Sequence, residues 1–307
     1  MNSKTLSRIY ISLAILFVIA LIFGTIYDLP IAQALYSKDN TSARVVSFTG
    51  FILFIGMCTF YLGVLCRQLL SSGKGTPFKI LIAVIFAYLY ASTATLIGAN
   101  ILNDPLMEGV FPFRVTFTVS LLTGSPFYIP LFMLGMIANG NRYDKNVVKK
   151  TIKLVIIMTM VFLMSTYMNC MVIRPHFRLL QSSSEFEPWY HLNNKGKIFM
   201  SLSDLIASHP GSFFSGHAMY GILFLIFFPS FSLVFPKLIG KERLLMTIGG
   251  TLGLLLIFSR MITGDNYLSD ISLGALSAIK MCFSFNAMSK RKGVVTKIRK
   301  RIFNTAH

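Results

Sequence analysis

The chain has 307 residues and a formal net charge of +18, yet only 13% of its residues are charged and 54% are hydrophobic. A water-soluble domain carries roughly 25% charged residues, so this composition excludes an ordinary soluble enzyme and requires a membrane protein. Apolar stretches of spanning length recur at about 9–27, 47–66, 79–102, 114–138, 153–173, 216–235, 244–263 and 271–288, the last containing Lys280. The first is too long for a secretory signal and has no small-residue cleavage site after it, so it reads as a retained anchor. Basic residues alternate with these spans. On an eight-span reading twenty of the 29 lie on one side and eight on the other, Lys280 being the remainder. Of the acids only Asp144 and Glu242 fall on the basic side, against nine opposite. That asymmetry predicts both termini in the cytoplasm, and it reads the basic tail as a topology signal near anionic lipid, with no nucleic acid partner. Cys58, Cys66, Cys170 and Cys282 lie in or beside spans at no metal-ligand spacing and read as packing residues.

Loops are short except for residues 176–215, which the topology puts outside the cell. This segment contains "SSSEFEPWYHLNNKGKIFM", whose Trp189 and Tyr190 suit the headgroup interface. A loop of this length is expected to be functional, as an interfacial lid, with a short surface helix over 201–209. "GKGTPF" at 73–78 lacks phosphate-loop spacing and reads as a turn.

Three polar clusters fall at span ends on the external side: "VIRPHFR" (172–178), "HPGSFFSGHAMYG" (209–221) and "SRMITGDNYLSD" (259–270). Ionisable groups at that depth are costly and mark a functional site. Arg174 and Arg260 offer planar forks for bidentate phosphate binding. Ser215 and Gly216 precede His217 at a helix start, where backbone N–H groups make an anion pocket. His217 is poised as a proton donor to a leaving oxygen. Positions 266 and 270 are four apart, on one face of a helix beginning there; a carboxylate at such a spacing orients an imidazole, but residue 266 is asparagine.

The order and spacing of these clusters resemble the type 2 phosphatidic acid phosphatase superfamily, membrane lipid-phosphate phosphatases related to vanadium haloperoxidases. That family shows K-x6-R-P, then P-S-G-H, then S-R-x5-H-x3-D. Here the chain reads Tyr167-x6-Arg174-Pro175, then Phe214-Ser215-Gly216-His217, then Ser259-Arg260-x5-Asn266-x3-Asp270. The continuation "RPHF" at Arg174–Phe177 is similar to the lipid-phosphatase branch. The resemblance implies a phosphohistidine mechanism that needs no metal or other cofactor. Carried over, Arg174 and Arg260 clamp phosphate, Ser215 and Gly216 line it, His217 is the general acid and Asp270 the orienter.

Three positions depart from the pattern. Tyr167 replaces the lysine, two helical turns from Arg174 and on nearly the same face. Phe214 replaces the proline. Asn266 replaces the nucleophile, and an amide has no basic lone pair with which to form a phosphoryl intermediate. Asp265, His209 and His191 are candidate substitutes, and Asn266 could position a water or simply cap a helix. His176 reads as a rim residue and Arg114 as a snorkelling side chain. The sequence therefore predicts an all-α, polytopic bundle of about eight spans: a two-span N-terminal extension (1–75), a phosphatase-like core (76–289) and a basic cytoplasmic tail (290–307). Its predicted activity is hydrolysis of a lipid phosphate monoester or diphosphate at the external face of the cell membrane. The alternative is a catalytically lapsed relative that binds a lipid phosphate without turnover. Oligomeric state and the identity of the lipid stay open.

Overall fold

A computed structural model describes residues 3–102, 116–138, 143–172, 174–191 and 212–284. Among them are eight α-helices and no strand: α1 (Ser3–Leu35), α2 (Thr41–Leu70), α3 (Thr76–Leu102), α4 (Phe117–Ala138), α5 (Lys145–Met171), α6 (Gly216–Ser230), α7 (Glu242–Ile262) and α8 (268–284). They fall where the apolar stretches predict them. Six of the eight, α1–α4, α6 and α7, are long and apolar enough to cross a membrane. The helix proposed over 201–209 lies outside the described residues, as do Arg114 and His209.

Local chemistry fixes where the helices start and stop. Asn40 caps α2 by accepting from the Ala43 N–H at 2.9 Å, Asp144 caps α5 through Asn146 N–H at 2.7 Å, and Ser215 caps α6 through Ala218 N–H at 3.2 Å. Helix α7 stops at Ile262, and the turn after it contains Gly264, whose φ of 69° no β-carbon-bearing residue adopts cheaply. Within α1, Pro30 removes a helical N–H, and Tyr27 departs from helical geometry three residues earlier.

Helix α2 is the hub of the bundle, packing on α3, α4, α5, α6 and α7. Its Phe54 stacks on Tyr220 of α6 at 4.1 Å between ring centroids, and its Tyr61 hydroxyl donates to Phe227 O at 3.1 Å. Without a hydrophobic drive between helices in lipid, association relies on close packing of small residues. A β-carbon on Gly124 would lie 1.8 Å from Ala94 O, closing the α3–α4 seam, and one on Gly253 would lie 2.4 Å from Gly221 O across α6–α7. Connectivity then brings the C-terminal ends of α1, α5 and α7 and the N-terminal ends of α2, α6 and α8 to one end of the bundle. Ser37 N–H donates to Ile262 O there at 2.9 Å.

Candidate functional site

The three polar clusters meet at that end. Helix α5 stops at Met171, Val172 is extended, and Pro175 keeps the preceding backbone out of the helical region. This turn carries Arg174 into the interior, where its side chain is fully buried. Its Nε donates to Glu187 O at 2.9 Å. Nη1 donates to Ser269 Oγ at 2.9 Å and Asp270 Oδ1 at 2.6 Å, and Nη2 to Asp28 Oδ2 at 3.0 Å. The Tyr267 ring covers the guanidinium at 3.9 Å. Burial disfavours the Arg174 charge, but Asp270 and Asp28 outweigh it and hold its pKa above the usual value.

The second cluster is pinned from three sides. Ser212 N–H donates to Arg174 O at 2.8 Å, and Ser215 N–H to Asp270 O at 3.2 Å. The Asn169 amide of α5, with its nitrogen toward the loop, donates to Phe213 O and Phe214 O at 2.9 Å each. Gly274 of α8 sits where a β-carbon would be 2.5 Å from Ser215 O, and one on Gly216 would meet Ser165 Oγ at 2.2 Å. The loop is therefore fixed before any ligand arrives.

The third cluster is built on the end of α7. Arg260 O accepts the N–H groups of Asp265 (3.0 Å) and Asn266 (3.2 Å), folding the turn back on the helix. The Arg260 side chain pairs with Asp265 Oδ2 at 2.9 Å, with Asn266 Oδ1 through Nε at 3.1 Å, and with Ser47 Oγ of α2 at 2.9 Å. Arg178 lies against the other Asp265 oxygen at 2.6 Å. Burial pushes the Asp265 carboxyl up, but Arg260, Arg178 and the Thr263 hydroxyl bring it down to about 2. His176 Nδ1 lies 2.5 Å from Asp265 O, and burial holds its imidazole below its ordinary pKa.

Asn266 is buried, and its amide ties the clusters together. Oδ1 accepts from Arg260 and, at 3.2 Å, from Ser215 Oγ; Nδ2 donates to Ser212 O at 2.6 Å. All these are side-chain bonds to other segments, so Asn266 is not the cap of α8. That helix starts two residues later, and its capping belongs to Asp270, whose Oδ2 accepts from the Tyr267 N–H at 3.0 Å.

His217 differs from its neighbours. Its ring is half-buried, 6.2 Å from Phe51 and 5.8 Å from Tyr220, and its nitrogens have no hydrogen-bond partner among the described residues. Ser47 and Phe51 are four apart on α2, so His217 and Arg260 face the same turn of that helix.

Arg174, Ser215, Gly216, His217, Arg260, Asn266 and Asp270 are thus brought to one end of the bundle, but two roles carried over from the resemblance do not match their partners. Arg174 faces two carboxylates where the resemblance puts phosphate. Asp270 serves Arg174 and the start of α8, having no imidazole to orient. Tyr167 stands apart: the shared face with Arg174 needs a helix through residue 174, and α5 ends at Met171, leaving Tyr167 56% exposed. His191 is exposed at the end of the 3-10 turn Trp189–His191. Sequence reasoning missed Asp28, Ser47 and Ser269, which are three of the partners described above for the two arginines. An acid two turns before the end of an apolar helix is the signal that could have found Asp28.

Compared with known proteins, residues 149–293 match the PAP2 superfamily. No curated protein and no solved structure matches the chain.

Proposed function

We propose that the chain, whose residues 149–293 match the PAP2 superfamily, is a membrane protein of that superfamily that binds a lipid phosphate headgroup without hydrolysing it. Asn266 carries this reading. The residue at the nucleophile position is an amide whose oxygen and nitrogen are committed to Arg260, Ser215 and Ser212. Such a group can neither attack phosphorus nor hold a phosphoryl intermediate. Asp265 offers no replacement, because two arginines and a hydroxyl engage its oxygens and keep it a weak nucleophile.

What is left is recognition. Arg260 and the unpartnered imidazole of His217 face one turn of α2, beside the start of α6, a pairing that suits a phosphoryl oxygen cluster. The distribution of basic residues along the sequence supports a reading with this end of the bundle on the external side of the membrane and both termini inside.

The test is inorganic phosphate release by the purified full-length protein from phosphatidate and from a polyprenyl diphosphate, beside flotation with phosphatidate-containing vesicles. The expected result is no release above a no-protein control, with saturable vesicle binding that weakens about tenfold or more in Arg260→Ala, as loss of a charge-assisted contact predicts. Release that disappears in His217→Ala would restore the phosphatase reading. Absence of binding to any phosphate-bearing vesicle would reduce the polar end to a structural feature.

A further inference from the structure

A crevice runs along the bundle from the Arg260 end. It encloses about 690 Å³ between α2, α4, α6 and α7, inside the range of about 300–1,000 Å³ that small-ligand sites occupy. Val46, Gly50 and Leu256 line the end nearest the polar clusters and flank the contact between Arg260 and Ser47: Ser47 follows Val46, and Arg260 lies one helical turn beyond Leu256. The far end is closed by aromatic rings, Phe60 lying 5.4 Å from Phe231 and 5.9 Å from Phe235. Thr49 is the one hydroxyl-bearing residue of the lining, and it donates to Val45 O at 2.7 Å. The wall therefore offers nothing to a polar ligand, and hydrocarbon is the chemistry it accepts.

Its flank is open. Leu134 of α4 and Leu255 of α7 belong to the lining and are 49% and 51% exposed, so a chain can enter sideways from the bilayer. Its length is selective. From Val46 to Phe60 the helix rises about 21 Å, whereas one leaflet gives a lipid chain about half of the roughly 30 Å hydrocarbon core. A chain of ordinary leaflet length that starts at the Arg260 end stops short of the aromatic floor. An apolar wall has no hydrophobic advantage over surrounding lipid, so occupancy must be decided by tethering and fit. A phosphate held at Arg260 supplies the tether, because it keeps its own chain at high effective concentration beside the mouth. Two of the four walls, α2 and α4, precede the residues that match the PAP2 superfamily.

We propose that this crevice holds one hydrocarbon chain of the lipid whose phosphate meets Arg260 and His217, and that the floor of Phe60, Phe231 and Phe235 sets the length it accepts, favouring a chain longer than one leaflet. The inference rests on the headgroup site proposed above and names the tail that goes with it.

Trp189 is the only tryptophan of the chain, so Trp189→Phe gives a dark background in which Phe235→Trp, or Phe231→Trp as a second variant, puts a fluorophore at the floor. The full-length protein is reconstituted in phosphatidylcholine vesicles containing a small fraction of terminally brominated dodecyl phosphate, terminally brominated docosyl phosphate, or the two corresponding bromoalcohols. Bromine quenches tryptophan on contact. The docosyl phosphate is expected to quench the floor saturably, and the dodecyl phosphate and both alcohols to give only the unsaturable background of bulk lipid. Arg260→Ala should raise the half-saturating fraction of docosyl phosphate about tenfold or more. Quenching by docosyl phosphate no greater than by its alcohol, with vesicle flotation intact, would overturn the tail site and leave the headgroup site standing. Equal quenching by the short phosphate would overturn the length selection, and unchanged quenching in Arg260→Ala would overturn the tether. Absence of phosphate-dependent flotation would remove the headgroup site and this inference with it.

Discussion

The two arginines of the site end, Arg174 and Arg260, began from the same expectation and occupy different surroundings. Arg174 is fully buried under Tyr267, with two carboxylates, a hydroxyl and a carbonyl as partners. Arg260 keeps 17% of its side chain exposed, shares Asp265 with Arg178, and leans on neutral partners, Asn266 and Ser47. The difference shows how one residue type divides between holding helices together and, on the proposed reading, meeting a ligand. The more completely an ion is desolvated and paired, the more its removal damages the fold and the less it has left to offer a ligand.

The largest effect expected from this contrast is on stability. Arg174→Ala strips the partner from two buried carboxylates and should cost about 3–5 kcal/mol, read by denaturant unfolding in detergent micelles. Arg260→Ala should cost less than half as much, and equal losses would break the comparison. Asn266→Ala comes next, at about 1–3 kcal/mol, because it leaves Arg260 Nε, Ser215 Oγ and Ser212 O each one partner short. The same unfolding assay would show whether the amide matters to the fold at all.

Asp265 gives the comparison a pH axis. Its folded pKa of about 2 is depressed, so its contribution is complete above the unfolded value near 4 and is lost as pH falls from about 4 through about 2. That amounts to about 2 kcal/mol, and Asp265→Asn should remove this component of the acid transition. An acid limb unchanged in the variant would mean that Arg260 and Arg178 do not hold the carboxylate as described. The smallest effect is Ser47→Ala, which should cost about 1 kcal/mol and loosen Arg260 from α2. It should weaken vesicle binding while leaving the Arg174 centre untouched.

Much of this was legible in the sequence, and what was not has physical causes. The helices follow from the apolar stretches, and the meeting of the three clusters follows from connectivity once the spans alternate. Partners of buried ions are another matter. The apolar run of α1 ends at Tyr27, so Asp28 reads as a loop acid, yet the helix continues to Leu35 and carries it inward. Tyr167 failed in the opposite sense, because a seven-residue spacing predicts a shared face only while the helix lasts. Reading α1 and α2 as an extension drew attention away from the two helices that supply Asp28 and Ser47.

The threefold bonding of Asn266 bears on what a histidine at that position would do. Its oxygen takes two donors and its nitrogen serves a carbonyl, a valence set that a neutral imidazole, with one donor and one acceptor, cannot reproduce. A histidine there would release the Ser212 loop or the guanidinium beside it, while Asp270 stayed bound elsewhere. One substitution at this position therefore disturbs several segments at once, and an imidazole would need new partners from each of them.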